Sequence, residues 1–148
     1  MWVVVPVKPF AYAKRRLAGV LSEAERAALA AAMVRDLFTL LARCTRVTGV
    51  LCVTREPAVA TLAPLCGAEI LDEAASGLSN SVAQAARHLV ARGHHGMLVL
   101  PTDVPLATSA EVDHVIAKHG WAPAVALVSD EEGYGTTALA VSPPDLMP

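Results

Sequence analysis

Residues 3–17, VVVPVKPFAYAKRRL, decide the fold class. Three β-branched residues in a row suit a strand buried on both faces, as in the parallel sheets of α/β proteins. Pro6 is expected to end that ladder, because proline has no N–H to donate. The segment beyond it carries Lys8, Lys14, Arg15 and Arg16, four cations in nine residues, from a chain with twelve Lys plus Arg. A third of the positive charge therefore stands just past the first strand. In open α/β sheets ligands bind outside the carboxyl ends of the strands, so an anionic ligand is expected there. A solvated surface loop is the alternative reading of the same charges.

Working outward, strand-like and helix-like stretches alternate. Ser22-Glu23-Ala24-Glu25 has the form of a capping box and opens a helix over 23–43, with Leu29, Met33, Leu37, Leu40 and Leu41 at helical spacing. Strands are expected at 47–54, 68–71, 96–100, 124–128 and 137–141, and further helices at 56–65, 80–92 and 108–119. Such alternation implies a single α/β domain over residues 1–148: three layers, helix–sheet–helix, around a Rossmann-like, mostly parallel sheet. Three loops then meet at the carboxyl edge: the basic loop, the polar turn-forming stretch 72–81 (DEAASGLSNS), and 101–106 (PTDVPL).

Composition narrows the function classes. With 54% apolar and 18% charged residues among 148, the chain has enough apolar material for a full core. A net charge of −2 gives no bulk attraction to nucleic acid or to anionic membranes. No apolar run reaches the ~18–20 residues of a membrane helix. No leader-like segment precedes the first strand, and a cytoplasmic location is expected. Cys44, Cys52 and Cys66 lack Cys-x-x-Cys spacing and read as reduced, mostly buried thiols. The pair His94-His95 reads as an exposed connector, since no third ligand is near in sequence.

Asp103 is the sharpest single residue. It follows a strongly apolar strand and stands between Pro101 and Pro105, which stiffen the backbone. A lone carboxylate there fits a hard cation such as Mg²⁺ bridging to phosphate oxygens; a turn or capping aspartate is the other reading. Neither a G-x-x-x-x-G-K-[ST] loop nor a G-x-G-x-x-G turn is present, and no nucleophile–base pair is evident. What remains is phosphate positioning by cations and a divalent metal, the chemistry of phosphoryl and nucleotidyl transfer.

Four stretches in order, PVKPFAYAKRRLA, GLSNSVAQA, LPTDVPL and D-x-x-G-x-G-T-T-A-L, resemble the motifs of the 2-phospho-L-lactate guanylyltransferase family. That family belongs to the nucleotide-diphospho-sugar transferase-like superfamily, with the molybdenum-cofactor nucleotidylyltransferases. The resemblance implies transfer of GMP from GTP to 2-phospho-L-lactate, phosphoenolpyruvate or 3-phosphoglycerate, with pyrophosphate released, in coenzyme F-420 biosynthesis. It implies Mg²⁺ as cofactor, and GTP and a small phosphorylated acid as partners. A homodimer is left open.

By the same resemblance Lys14 neutralises the triphosphate and the leaving pyrophosphate, and Lys8 is the other basic position of the first motif. Pro6, Val7 and Pro101 fall among the nucleotide contacts. Gly77, Leu78 and Asn80 match the base-contacting loop, Asp103 the metal ligand, and Thr136 and Thr137 the acceptor-binding Gly-Thr-Asn motif. The chain departs from the pattern at Ser79, which separates Leu78 from Asn80, and at Thr137, where asparagine is usual. Relative to that family it reads as C-terminally short, without a later Gly-x-Gly-Ser motif and a further carboxylate. Alternatives are a related molybdenum-cofactor or sugar-phosphate nucleotidyltransferase, and a non-catalytic nucleotide-binding protein.

Overall fold

The computed structural model describes residues 1–130, 133 and 135–147. Its strands are β1 (Trp2–Val7), β2 (Gly49–Thr54), β3 (Glu69–Asp72), β4 (Met97–Val99), β5 (Ala124–Ser129) and β6 (Thr136–Ser142). Its helices are α1 (Glu23–Leu41), α2 (Val59–Leu62), α3 (Leu78–Ala91) and α4 (Ser109–Lys118), with short 3-10 turns at Phe10–Tyr12, Arg15–Leu17 and Ala63–Leu65. The strands form one sheet in the order β3-β2-β1-β4-β6-β5. β1 to β4 are mutually parallel, and β6 runs antiparallel to both neighbours. The expected α/β class and mostly parallel sheet are therefore what the chain adopts.

Alternation along the central strands fills two cores. Val3, Val5 and Val7 of β1 face α1 and pack with Val34, Leu37, Phe38 and Leu41. Val4 faces the other way and joins Leu51 and Val53 of β2 against Ala85, Ala86 and Leu89 of α3. Val112 of α4 lies on the α1 side. Helices thus cover both faces of the sheet, and the loops at its carboxyl edge are left free. No helix among the described residues is long and apolar enough to cross a membrane.

Pro6 does not end the first strand. It lies inside β1, opposite Val53. The even-numbered residues of β1 turn their backbone groups toward β4: the Trp2 N–H donates to Gly96 O, and the Leu100 N–H donates to Val4 O. Pro6 shares that phase, but β4 pairs only with Trp2 to Val4. The missing N–H therefore falls where the neighbour has already left, which spares the ladder to β2.

Other boundaries move for local reasons. The buried stripe of α1 is Ala30, Val34, Leu37, Phe38 and Leu41, while Leu29 is 36% exposed. Positions 27–34 are apolar throughout, so periodicity alone could not choose the face. The helix expected at 56–65 is a single α turn followed by a 3-10 turn, and Pro64 lies in that second turn. The capping box at α1 is formed as expected. Ser22 N–H donates to Glu25 Oε2 at 2.8 Å, and Glu25 N–H donates to Ser22 Oγ at 3.3 Å. Ser22→Ala is expected to lower stability by ~1 kcal/mol, read as a lower denaturation midpoint at unchanged m-value.

His119, which caps the end of α4, is 7% exposed. Its Nε2 lies 2.9 Å from Ser142 Oγ at the end of β6, and its Nδ1 has no hydrogen-bond partner among the described residues. Burial holds its imidazolium pKa below the ordinary value of 6.5. The unfolded chain then binds a proton that the folded chain resists, so stability is full above pH ~6.5 and falls as the pH drops below it. In His119→Gln, the slope of unfolding free energy between about pH 5 and 6.5 is expected to flatten, by up to ~1.4 kcal/mol per pH unit. Chemical denaturation across that range measures it. An unchanged slope would show that His119 protonates as readily folded as unfolded.

Candidate active site

Three loops, after β1, β3 and β4, enclose a cavity of about 670 Å³ at the carboxyl edge of the sheet. The first is the basic loop. Its start is fixed by the end of β2: Thr54 Oγ1 donates to Val7 O at 2.8 Å, and Glu56 Oε2 accepts the Phe10 N–H at 2.7 Å. Phe10 anchors the following turn in the core at 7% exposure. The loop then turns at Lys14, which has φ 50° and ψ 39°. A left-handed conformation in a residue other than glycine costs on the order of 1–2 kcal/mol, and Lys14 is alone in it among the described non-glycine residues. Arg15 lies over the Tyr12 ring, 5.7 Å from its centroid. Lys8, Lys14, Arg15 and Arg16 all line the cavity.

The second loop, between β3 and α3, is held by side chains from both ends. Gln84 Nε2 donates to Asp72 O at 2.7 Å, and Gln84 Oε1 accepts the Ala74 N–H at 2.9 Å. Arg55 donates to Glu73 O at 2.7 Å and to Ala74 O at 2.8 Å. Gly77 opens α3 with φ 114°, a backbone region that only glycine enters readily. No side chain caps that helix. Gly77 and Leu78 line the cavity as expected, joined by Glu73 and Ser81. Asn80 does not: its Nδ2 donates back to Ser76 O at 2.8 Å, on the exposed side of the first helical turn. The helix starts at Leu78, two residues before the expected 80, and that rotation puts Ser81 where Asn80 was expected.

The third loop brings Pro101, Thr102 and Asp103 to the cavity, with the Asp103 carboxylate exposed. It is bounded on its far side by a second capping box, Thr108 with Glu111. Of the residues singled out in the sequence, Pro6, Val7, Lys8, Lys14, Gly77, Leu78, Pro101 and Asp103 therefore share one cavity. Thr136 and Thr137 start β6, which runs opposite to β4, so they reach the same sheet edge without lining the cavity. Of the loop before them, Glu131, Glu132 and Tyr134 lie outside the described residues.

Sequence reasoning passed over Glu73, Ser81, Arg55 and Glu56. The signal of Arg55, Glu56 and Glu73 is positional, since each stands within two residues of a strand end at the carboxyl edge, whereas Ser81 lies in α3, nine residues past β3. Of the three thiols Cys52 alone is buried, while Cys44 and Cys66 are half-buried, short of the mostly buried expectation. Burial pushes Cys52 up to about 12 and Cys44 up to about 11, far from the thiolate that nucleophilic chemistry requires. Four cations against two carboxylates, Glu73 and Asp103, leave the cavity suited to a polyanion.

The family model described as guanylyl transferase, CofC-like, matches residues 1–147. A phosphoenolpyruvate guanylyltransferase of Rubrobacter xylanophilus is 34% identical over all of this chain and 72% of its own length. One from Conexibacter woesei is 36% identical over 99% of this chain and 66% of its own length. The chain thus spans about two thirds of the relatives it matches. Among solved structures, a Desulfovibrio desulfuricans G20 protein described as a nucleotide-diphospho-sugar transferase superposes with a TM-score of 0.77 at 14% identity, over 99% of this chain and 64% of that one. A 4-diphosphocytidyl-2C-methyl-D-erythritol synthase gives 0.60 at 13% identity, over 96% and 72%. These similarities agree with the topology, and the chain belongs to the CofC-like guanylyl transferase family of nucleotidyltransferases.

Proposed function

We propose that this cavity binds GTP and that the protein transfers GMP to the phosphate of a small phosphorylated acid, releasing pyrophosphate. The observation that carries this reading is the meeting of Lys14 and its neighbouring cations with Asp103 across one cavity at the carboxyl edge. In the reaction an oxygen of the acceptor phosphate attacks the α-phosphorus in line. The new P–O bond forms as the bond to the β-phosphate oxygen breaks, and the electron pair leaves with pyrophosphate. Lys14 neutralises charge that develops on the leaving group. The protein's share is alignment and electrostatic stabilisation, with no covalent intermediate.

Asp103 is the residue proposed to hold Mg²⁺. No group of three His, Cys, Asp or Glu gathers as a cation cage among the described residues. One exposed carboxylate fits Mg²⁺ as that ion is usually bound, through one or two carboxylates plus the substrate's phosphates. When bound, the ion would neutralise phosphate oxygens. Thr136 and Thr137 are proposed to face the acceptor from β6, and coenzyme F-420 biosynthesis is the proposed pathway.

The test is pyrophosphate release from GTP and Mg²⁺ with phosphoenolpyruvate, 2-phospho-L-lactate or 3-phosphoglycerate in turn. One equivalent of guanylylated acid should form per pyrophosphate with one of the three. Pyrophosphate release indifferent to acceptor, or transfer from CTP in preference to GTP, would count against the reading.

A further inference from the structure

We infer that Glu73 selects the base, its carboxylate accepting the two adjacent donors, N1–H and N2–H, on the edge of guanine. This deepens the guanylyl-transfer reading and rests on it. Glu73 lines the cavity with its side chain 10% exposed. The Ser81 hydroxyl, itself 2% exposed, donates to Glu73 Oε1 at 2.7 Å and lies 3.0 Å from Gly77 O. That contact fixes the carboxylate beside the start of α3. The Arg55 guanidinium pairs with the other oxygen, its Nε 4.0 Å from Glu73 Oε2. A carboxylate has about four acceptor sites, so the bond from Ser81 and that ion pair leave capacity on both oxygens.

The neighbouring groups supply the opposite polarity. Gly77 and Leu78 line the same cavity, and the first turn of α3 has no side-chain cap, so its leading N–H groups are free to donate. Donor next to paired acceptors is the complement of guanine's edge, which reads O6 acceptor, N1–H donor, N2–H donor. Adenine, cytosine and uracil do not present two adjacent donors. An uncapped helix start would ordinarily suit a phosphate, but a carboxylate beside it repels one.

Sheet order separates this end from the chemistry. Glu73 follows β3 and Asp103 follows β4, with β2 and β1 between those strands. A nucleotide would then lay its base toward Glu73 and its phosphates toward Asp103, past the basic loop.

The experiment compares GTP with ITP, which lacks only the 2-amino group, by equilibrium titration of the parent, Glu73→Gln, Glu73→Ala and Ser81→Ala. The parent should prefer GTP by ~10–100-fold, the size of one hydrogen bond to a charged group. Glu73→Ala and the isosteric Glu73→Gln should each bring the ratio within ~3-fold of unity, whereas Ser81→Ala should keep most of it. A ratio that survives both Glu73 variants overturns the inference. So does an equal loss of GTP and ITP, which would make Glu73 a prop for its loop. A changed preference for GTP over 2′-deoxy-GTP with the ITP ratio intact would place Glu73 on the ribose instead. If the parent itself does not prefer GTP to ATP, CTP and UTP, the guanylyl-transfer reading fails, and this inference with it.

Discussion

Replacing Asp103 by Asn is expected to cut guanylyl transfer by at least ~100-fold, on the order of 3 kcal/mol of transition-state stabilisation. Asn keeps the size of the side chain and its ability to sit in a turn, but loses the charge a hard cation requires. Asp103 is exposed on its loop, so the fold should barely notice, with Tm within about 2 °C of the parent. The check is a Mg²⁺ titration of kcat/KM. The parent should rise to saturation and the Asn variant should stay nearly flat. A variant with the parent's Mg²⁺ response would remove Asp103 from the metal site.

The second large effect is at Lys14. Lys14→Ala should lower kcat/KM for GTP by ~100-fold or more, and Arg15→Ala by only a few-fold. Both side chains line the cavity, but they are held differently. Arg15 lies over Tyr12. Lys14 sits at the left-handed turn between two 3-10 segments, a strained position kept in a loop that Glu56 and Phe10 pin to the core. Strain of this kind tends to persist where geometry serves function. Lys14→Gly relaxes the backbone and should fold at least as stably as the parent while remaining as inactive as Lys14→Ala. Steady-state kinetics beside thermal melts separate the two roles. Equal losses at Lys8, Lys14, Arg15 and Arg16 would instead describe a diffuse electrostatic patch.

The sequence was most legible where one signal sufficed. The run Val3-Val4-Val5 marked a central strand, the Ser22 and Thr108 capping boxes marked two helix starts, and the cluster from Lys8 to Arg16 marked the edge where the cavity lies. It was less legible where two physical effects competed. Pro6 reads as a strand end until the short reach of β4 is known, because only the partner strand decides whether a missing N–H matters. The face of α1 could not be chosen within the alanine-rich stretch 27–34, where every rotation buries something apolar. Asn80 is a candidate only by resemblance to the family's base-contacting motif, which carries no information on where the helix begins. Gly77, with its positive φ, lets the helix begin at Leu78 and turns Asn80 away. Glu73 carries no motif of its own; its place just past β3, with Ser81 and Arg55 holding it, brings it into the cavity wall.

Equilibrium binding of GTP, ATP, CTP and UTP in saturating Mg²⁺ bears most directly on the central claim, that the carboxyl-edge cavity is a guanine nucleotide site. Saturable binding of GTP is expected, at least ~10-fold tighter than any of the other three and lost in Lys14→Ala. Equal affinity for all four nucleotides, or GTP binding that Lys14→Ala leaves untouched, would contradict it.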